Sequence, residues 1–278
     1  MRLRLGVHLP QYGRAASGAT IVRAAQQAEE LGFDDVWVSD HLAVPAGAAY
    51  PPAFLFEPLM TLAWAGAATT SIGLGTSVLV LPYRHPLHLA KELASLDVLC
   101  GGRLTVGAAA GWLEGEFDAL GVPYRQRGAR TDEAIDAMRA CWEGPDPVEF
   151  HGPTVDLDGM KVAPRPQRRI PIWVGGASPA ALRRAAAKGD GWHGTFLEPA
   201  KAAPLLAMLR EARPEEEFTL SLRTSWDGLS VSESDIRRQA EEFAMVGVQH
   251  LMVAPTQGEE AAWLRSVEEL WRMLSPLR

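Results

Sequence analysis

The sequence predicts an α/β fold, a closed barrel of eight parallel strands each followed by a helix, and three observations carry that prediction. Short apolar runs rich in Val, Leu and Ile alternate with segments whose apolar residues recur at helical spacing. The alternation repeats eight times within 278 residues, which suits a closed barrel better than a doubly wound sheet. No linker-like or low-complexity stretch divides the chain, so residues 1–278 form one expected domain.

From the N-terminus, residues 3–9 are an apolar strand, and residues 19–31 place Ile21, Ala24, Ala25, Ala28 and Leu31 on one helical face. Strands at 35–39, 72–81, 104–109, 172–175, 191–194, 219–222 and 250–254 then alternate with helices at 58–69, 86–99, 131–142, 179–188, 198–212, 234–246 and 259–274. Three helix exits place a glycine before a strand, at Gly32, Gly189 and Gly247. Each is expected to take the left-handed backbone that stops a helix. Two segments depart from the repeat. Residues 111–128 are an insertion after the fourth strand and should roof the C-terminal face, where barrel enzymes keep their chemistry. Residues 144–169, rich in Pro and Gly, are an insertion before the fifth strand with a hairpin over 148–151 and 155–157. They enter from the opposite end, from which the chain can still wrap round.

Composition narrows the function. A net charge of −7 with scattered basic residues argues against nucleic acid or an anionic membrane and for a small-molecule partner. Cys100 and Cys141 lack metal-ligand spacing and read as reduced core thiols. The first apolar run is too short for a signal peptide or membrane span, so a cytoplasmic protein is expected, with a homodimer allowed. No zinc spacing, Gly-x-Ser-x-Gly elbow or P-loop Lys occurs, so no metal site is expected and hydrolase and NTPase readings lose support.

Four places carry candidate chemistry. Asp40-His41 ends the second strand and sets a carboxylate beside a titratable imidazole at the rim; a structural Asp next to a packed His is an equal reading. Gly175-Gly176-Ala177-Ser178-Pro179 joins a strand to a helix N-terminus whose free amides suit a phosphate, and it equally suits a plain turn. The glycines of 73–80 and the small residues of 107–111 leave room for a planar ring, or serve packing. Trp192-His193 and His85 also fall at the rim, but lone histidines are more often structural.

The ordered set Trp37-Val38-Ser39-Asp40-His41, Gly75-Thr76-Ser77-Val78, Gly101-Gly102-Arg103-Leu104, Gly111-Trp112-Leu113, Gly175-Gly176 and Gly189-Asp190-Gly191-Trp192 resembles the luciferase-like monooxygenase superfamily. Within it, the chain is most similar to the branch that uses the deazaflavin coenzyme F-420. The resemblance implies a (β/α)8 TIM barrel and an oxidoreductase that transfers hydride between 8-hydroxy-5-deazaflavin and a small organic substrate. It implies that Asp40 and His41 contact the ring, with His41 catalytic, and that a cis Ser77-Val78 peptide pushes a bulge against it. Ala110 and Gly111 would line the ring, and Gly175, Gly176, Ala177 and Ser178 would hold the phosphate. Val80 stands where a polar residue is frequent near the cofactor. Pro45 and Trp112 replace the aromatic and the Glu of the sugar-phosphate dehydrogenases, which counts against that substrate. FMN is the alternative cofactor, with monooxygenase chemistry, and a non-catalytic flavin-binding barrel is the second alternative. The roof at 111–128 carries no diagnostic group for substrate.

Overall fold

A computed structural model describes residues 3–48, 50–215 and 217–278. Its parallel strands are β1 (Arg4–His8), β2 (Asp35–Val38), β3 (Gly73–Thr76), β4 (Leu79–Val80) and β5 (Leu104–Ala109). After the antiparallel hairpin β6 (Val148–His151) and β7 (Asp156–Met160) come β8 (Ile172–Gly175), β9 (Gly191–Thr195), β10 (Thr219–Arg223) and β11 (His250–Val253). The order β3-β2-β1-β11-β10-β9-β8-β5 closes because β3 also pairs with β5, Leu74 opposite Leu104. Eight staves therefore form a closed parallel barrel, as the alternation predicts. The third stave is broken: β3 stops at Thr76, β4 resumes at Leu79, and the Ser77-Val78 peptide between them is cis.

The staves hold because each carries a near-continuous apolar run, the pattern of strands covered on both faces. Val36, Leu104, Val106, Ile172, Val174, Leu220 and Leu251 are fully or almost fully buried. Around them pack α1 (Gly18–Leu31), α2 (Pro58–Ala67), α3 (Pro86–Leu99), α5 (Arg127–Glu143), α6 (Pro179–Lys188), α7 (Pro199–Ala212), α8 (Glu233–Met245) and α9 (Glu260–Leu274). In α1, Ile21, Ala24, Ala25 and Ala28 face inward as the spacing predicts, and Ser17 caps the first turn through Thr20 N. One short helix, α4 (Glu114–Leu120), lies inside the roofing insertion and was not legible in the apolar pattern.

Gly32 and Gly247 end their helices with φ of 97° and 99°, as expected. Gly189 does not: its φ is −85°. There the residue type answers to space, because a Cβ would lie 2.9 Å from both the Ala185 and the Gly191 carbonyl oxygens. The glycines of the third strand are likewise a packing device, since a Cβ at Gly75 would sit 2.4 Å from the Trp37 ring that fills the barrel. The insertion at 144–169 stays on the flank. Glu133 of α5 accepts hydrogen bonds from Thr154 N (2.6 Å) and Val155 N (2.9 Å), and Lys91 of α3 holds the Ala163 carbonyl. Among the described residues no helix is long and apolar enough to cross a membrane.

Candidate active site

At the C-terminal ends of the staves lies a cavity of about 580 Å³. Asp40, His41, Ser77, Val78, Val80, Ala110, Gly111, Gly175, Gly176 and Ser178 all line it, so residues spread over the chain converge on one place. Of the expected cofactor contacts only Ala177 is not among the lining residues. The roof arrives as predicted, through Gly111, Trp112, Arg125, Arg127 and Gly128.

His41 is held by a group that the sequence reading missed. Glu116, on α4, has a fully buried side chain, and its Oε2 lies 2.7 Å from His41 Nδ1. The Tyr83 hydroxyl donates to the same oxygen (2.8 Å), while Leu42 N (2.6 Å) and Ala43 N (3.2 Å) donate to Oε1. Burial alone would raise the Glu116 pKa, but these four donors outweigh it and hold the carboxyl below its ordinary range. Burial and the neighbouring carboxylate push the Tyr83 hydroxyl well up, so it stays protonated and a donor. An ionised carboxylate only accepts, so His41 donates to it from Nδ1, and in the neutral ring Nε2 is the acceptor.

Asp40 has a different job from its neighbour. Its carboxylate takes Arg84 in a fork, at 2.7 and 3.0 Å, and accepts Val80 N at 2.9 Å. Arg84 reaches on to Glu57 Oε1 at 2.9 Å. Burial opposes the Arg84 charge, but the two carboxylates reinforce it more strongly. Asp40 thus ties the second strand to the resumed third strand, just beyond the cis peptide.

Below the cavity floor a chain of polar side chains runs through the barrel. Ser77 Oγ is 2.8 Å from His193 Nε2, and His193 Nδ1 is 2.7 Å from Ser221 Oγ. Ser221 Oγ is 2.7 Å from His250 Nδ1, and His250 Nε2 is 2.8 Å from Asp35 Oδ1, which also accepts Trp37 Nε1. The Asp35 carboxylate sits low in its titration: burial opposes its charge, but His250, Trp37 and Arg4 stabilise it more. Since it can only accept, His250 donates to it from Nε2, and each later bond must keep step with the one before, because a hydroxyl has one proton to give and a neutral imidazole one. Burial, then the charges of His250 and Arg223, push His193 down to about 3, so it is neutral. His193, set aside in the sequence as a lone histidine, is a member of this chain.

The other end of the cavity suits an anion. Ser178 caps α6 by accepting Ala181 N at 3.2 Å, and Gly176, Ser178, Ala180 and Ala181 face the space at that helix N-terminus. Gly176 has φ of 106°, a conformation that L side chains rarely adopt. Arg125, Arg127 and Arg184 line the cavity too, with Arg184 fixed on Asp132 at 2.7 and 3.1 Å. The wall of Val78, Val80, Ala109, Ala110 and Gly111 is small and apolar, and a Cβ on Gly111 would meet Val80 Cγ1 at 2.6 Å. A flat ring system bearing a phosphate tail fits these residues. Arg125 and Arg127 carried no signal in the sequence; Arg127 is held over the Tyr124 ring at 4.0 Å, and Tyr124 packs on Phe117 of α4.

Residues 3–273 match the family model described as luciferase-like monooxygenase. An uncharacterized protein of Mycobacterium tuberculosis is 34% identical over 237 residues, covering 79% of this chain and 82% of that one. The F-420-dependent glucose-6-phosphate dehydrogenase of Amycolatopsis mediterranei is 32% identical over 179 residues, covering 62% of this chain and 52% of its own. The crystal structure of the monooxygenase RslO1 from Streptomyces bottropensis superposes with a TM-score of 0.82 at 21% identity, covering 99% of both chains.

Proposed function

The chain belongs to the luciferase-like monooxygenase family of oxidoreductases, and on that premise we propose that it uses coenzyme F-420 to move hydride to or from a small organic substrate. The observation that carries this reading is the His41–Glu116 pair, a proton-handling imidazole fixed at 2.7 Å by a buried carboxylate beside a small apolar wall. The similarity to an F-420-dependent dehydrogenase supports the choice of cofactor.

The deazaflavin, when bound, supplies two-electron hydride chemistry with little reactivity toward oxygen. The protein does the rest. The α6 N-terminus, Ser178 and the neighbouring arginines would hold the phosphate; Val78, Val80, Ala110 and Gly111 would seat the ring. His41 Nε2 takes or gives the proton that accompanies hydride transfer at the substrate heteroatom, and Glu116 stabilises the imidazolium formed meanwhile. Trp112, set edge-on to His41 at 5.9 Å and parallel to Tyr50 at 6.4 Å, offers an apolar surface beside that point.

FMN is the second reading, favoured by the family's monooxygenase members; a barrel that binds flavin without turnover is the third. Titration of the purified protein with oxidised and reduced F-420 and with FMN, followed by turnover of reducible organic substrates with wild type and His41→Ala, separates them. We expect F-420 to bind and His41→Ala to lose about 10²–10⁴ in turnover with cofactor affinity kept. FMN binding without F-420 binding overturns the cofactor choice. Equal turnover in His41→Ala overturns the role of the imidazole.

A further inference from the structure

Arg223, at the end of β10, is 5% exposed and lines the cavity, yet no carboxylate pairs with it among the described residues. Its Nη1 donates to Ser39 Oγ (2.9 Å) and to the Ser77 carbonyl (3.0 Å). The guanidinium carbon lies 5.2 Å from the Phe196 ring centre, and Phe196 takes the unusual φ of 52°. Nε is buried with no hydrogen-bond partner, and Tyr12 offers the guanidinium a hydroxyl hydrogen bond but no carboxylate. Nε of Arg139 and of Arg278 is likewise unpaired, but those guanidiniums hold Asp190 and Asp34, and other half-buried arginines also spend their donors within the fold. Arg84 is forked on Asp40, Arg184 on Asp132, and Arg103 spends its donors on the carbonyls of Gly66, Thr69, Ile72 and Cys100. A buried cation without a counter-charge is costly unless a ligand supplies one, and a guanidinium fork is shaped for an oxyanion. Burial already works against the Arg223 charge.

Building on the oxidoreductase reading above, we propose that Arg223 is the substrate-recognition residue and that the substrate is a carboxylate on an apolar carbon skeleton. The arginine itself selects the anion. Tyr12, Tyr50, Leu55 and Phe196, which line the cavity with it, provide the surface for an apolar body. Arg184 of α6 donates to the Gly128 carbonyl, so the roof beside Arg127 meets the cavity at its α6 end, whereas Arg223 meets it at Ser39 and Ser77. His41 opens on the same cavity, so a substrate anchored through its carboxylate shares the space with the proton-handling group.

The test is calorimetric and needs no turnover. Acetate, butyrate and 3-phenylpropionate, each beside its neutral amide, are titrated into wild type, Arg223→Lys and Arg223→Met, with and without F-420, and inorganic phosphate is run in parallel. We expect 3-phenylpropionate to bind wild type at least tenfold more tightly than its amide, Arg223→Lys to keep part of that preference and Arg223→Met to lose it, with F-420 affinity unchanged throughout. Equal binding of acid and amide by wild type overturns the proposal without any variant. A preference that survives in Arg223→Met also overturns it, as does a loss of F-420 affinity there, which would assign the arginine to the cofactor. Phosphate displacing 3-phenylpropionate in wild type alone, at lower concentration than acetate, would make the site one for phosphate esters and overturn the carboxylate assignment. Failure of F-420 to bind while the acid preference follows Arg223 would sink the cofactor reading and leave this one standing.

Discussion

Replacing Glu116 by Gln keeps the side chain's size and removes its charge, and the consequences can be worked from the four donors it accepts. His41 Nδ1 and Tyr83 Oη share Oε2, and Leu42 N and Ala43 N share Oε1. An amide has one oxygen, so whichever way it turns, two donors face an NH₂ group. Each unpaired buried donor costs about 1–3 kcal/mol, though Tyr83 can rotate its hydroxyl away. A loss of about 3 kcal/mol is expected, or roughly 6–12 °C in Tm for a domain of this size. If the amide nitrogen turns toward His41, the imidazole must accept at Nδ1 and carry its proton on Nε2, reversing its role. Turnover should then fall about 10²–10³ while cofactor affinity stays within a few-fold. The ¹⁵N shifts of the His41 ring report the tautomer independently of activity. Glu116→Gln with an unchanged tautomer and turnover within threefold of wild type would refute the reasoning. Tyr83→Phe removes one donor and leaves the carboxylate, so it should cost less than Glu116→Gln on every readout.

Three further outcomes are expected. Arg84→Met strands the buried Asp40 carboxylate and should cost about 3–5 kcal/mol in chemical denaturation, a loss that Asp40→Asn in the same chain partly restores. Glu29 accepts Thr70 N, Ser71 N and Ile72 N at 2.6–2.9 Å; burial opposes its charge, but these bonds hold its pKa down to about 2. A depressed carboxyl contributes stability above its unfolded pKa and loses it as pH falls, so Glu29→Gln should cost about 1–2 kcal/mol at pH 7 after screening. Its stability profile should also be flatter than wild type between about pH 4.5 and 2. Ala180→Asp puts a negative charge on the cavity side of the α6 N-terminus and should weaken cofactor binding about five- to tenfold, with Ala180→Asn as the neutral control. Ala180 serves better than Gly176, where any side chain strains the backbone. Matching affinities for Ala180→Asp and Ala180→Asn would place the cofactor anion elsewhere.

The barrel was legible because buried parallel strands and amphipathic helices are local patterns. The predicted bounds of α3, β5, β8 and α6 match the structure residue for residue. Three features were not local. The break at Ser77-Val78 leaves the apolar run of the third strand intact, so periodicity could not reveal it and only the family resemblance did. Helix α4 is seven residues long, too short for a repeating face, and is pinned by Phe117 packing against Tyr83 and Tyr124. Glu116 reaches His41 across 75 positions of sequence. That pairing exists only once α4 folds over the rim, although a dyad-forming carboxylate in the roof was a search the Asp40-His41 signal could have prompted. Gly189 was misread for the converse reason: a glycine before a strand signals a turn, and here its neighbours demand the missing Cβ.

The polar line from Asp35 to Ser77 gives the barrel interior a sense of direction. Each hydroxyl along it has one proton to give and the neutral His193 one, so the donor order at one link fixes the order at the next, and Ser77 near the mouth is coupled to the Asp35 carboxylate four hydrogen bonds below. Such a line is inherited whole or rebuilt whole. Substituting any middle member reverses or severs the order above it, so the interior residues His193, Ser221 and His250 are expected to change together across natural variants or not at all. The loops of the mouth carry no such obligation. New substrates can be sampled there while the floor keeps its polarity.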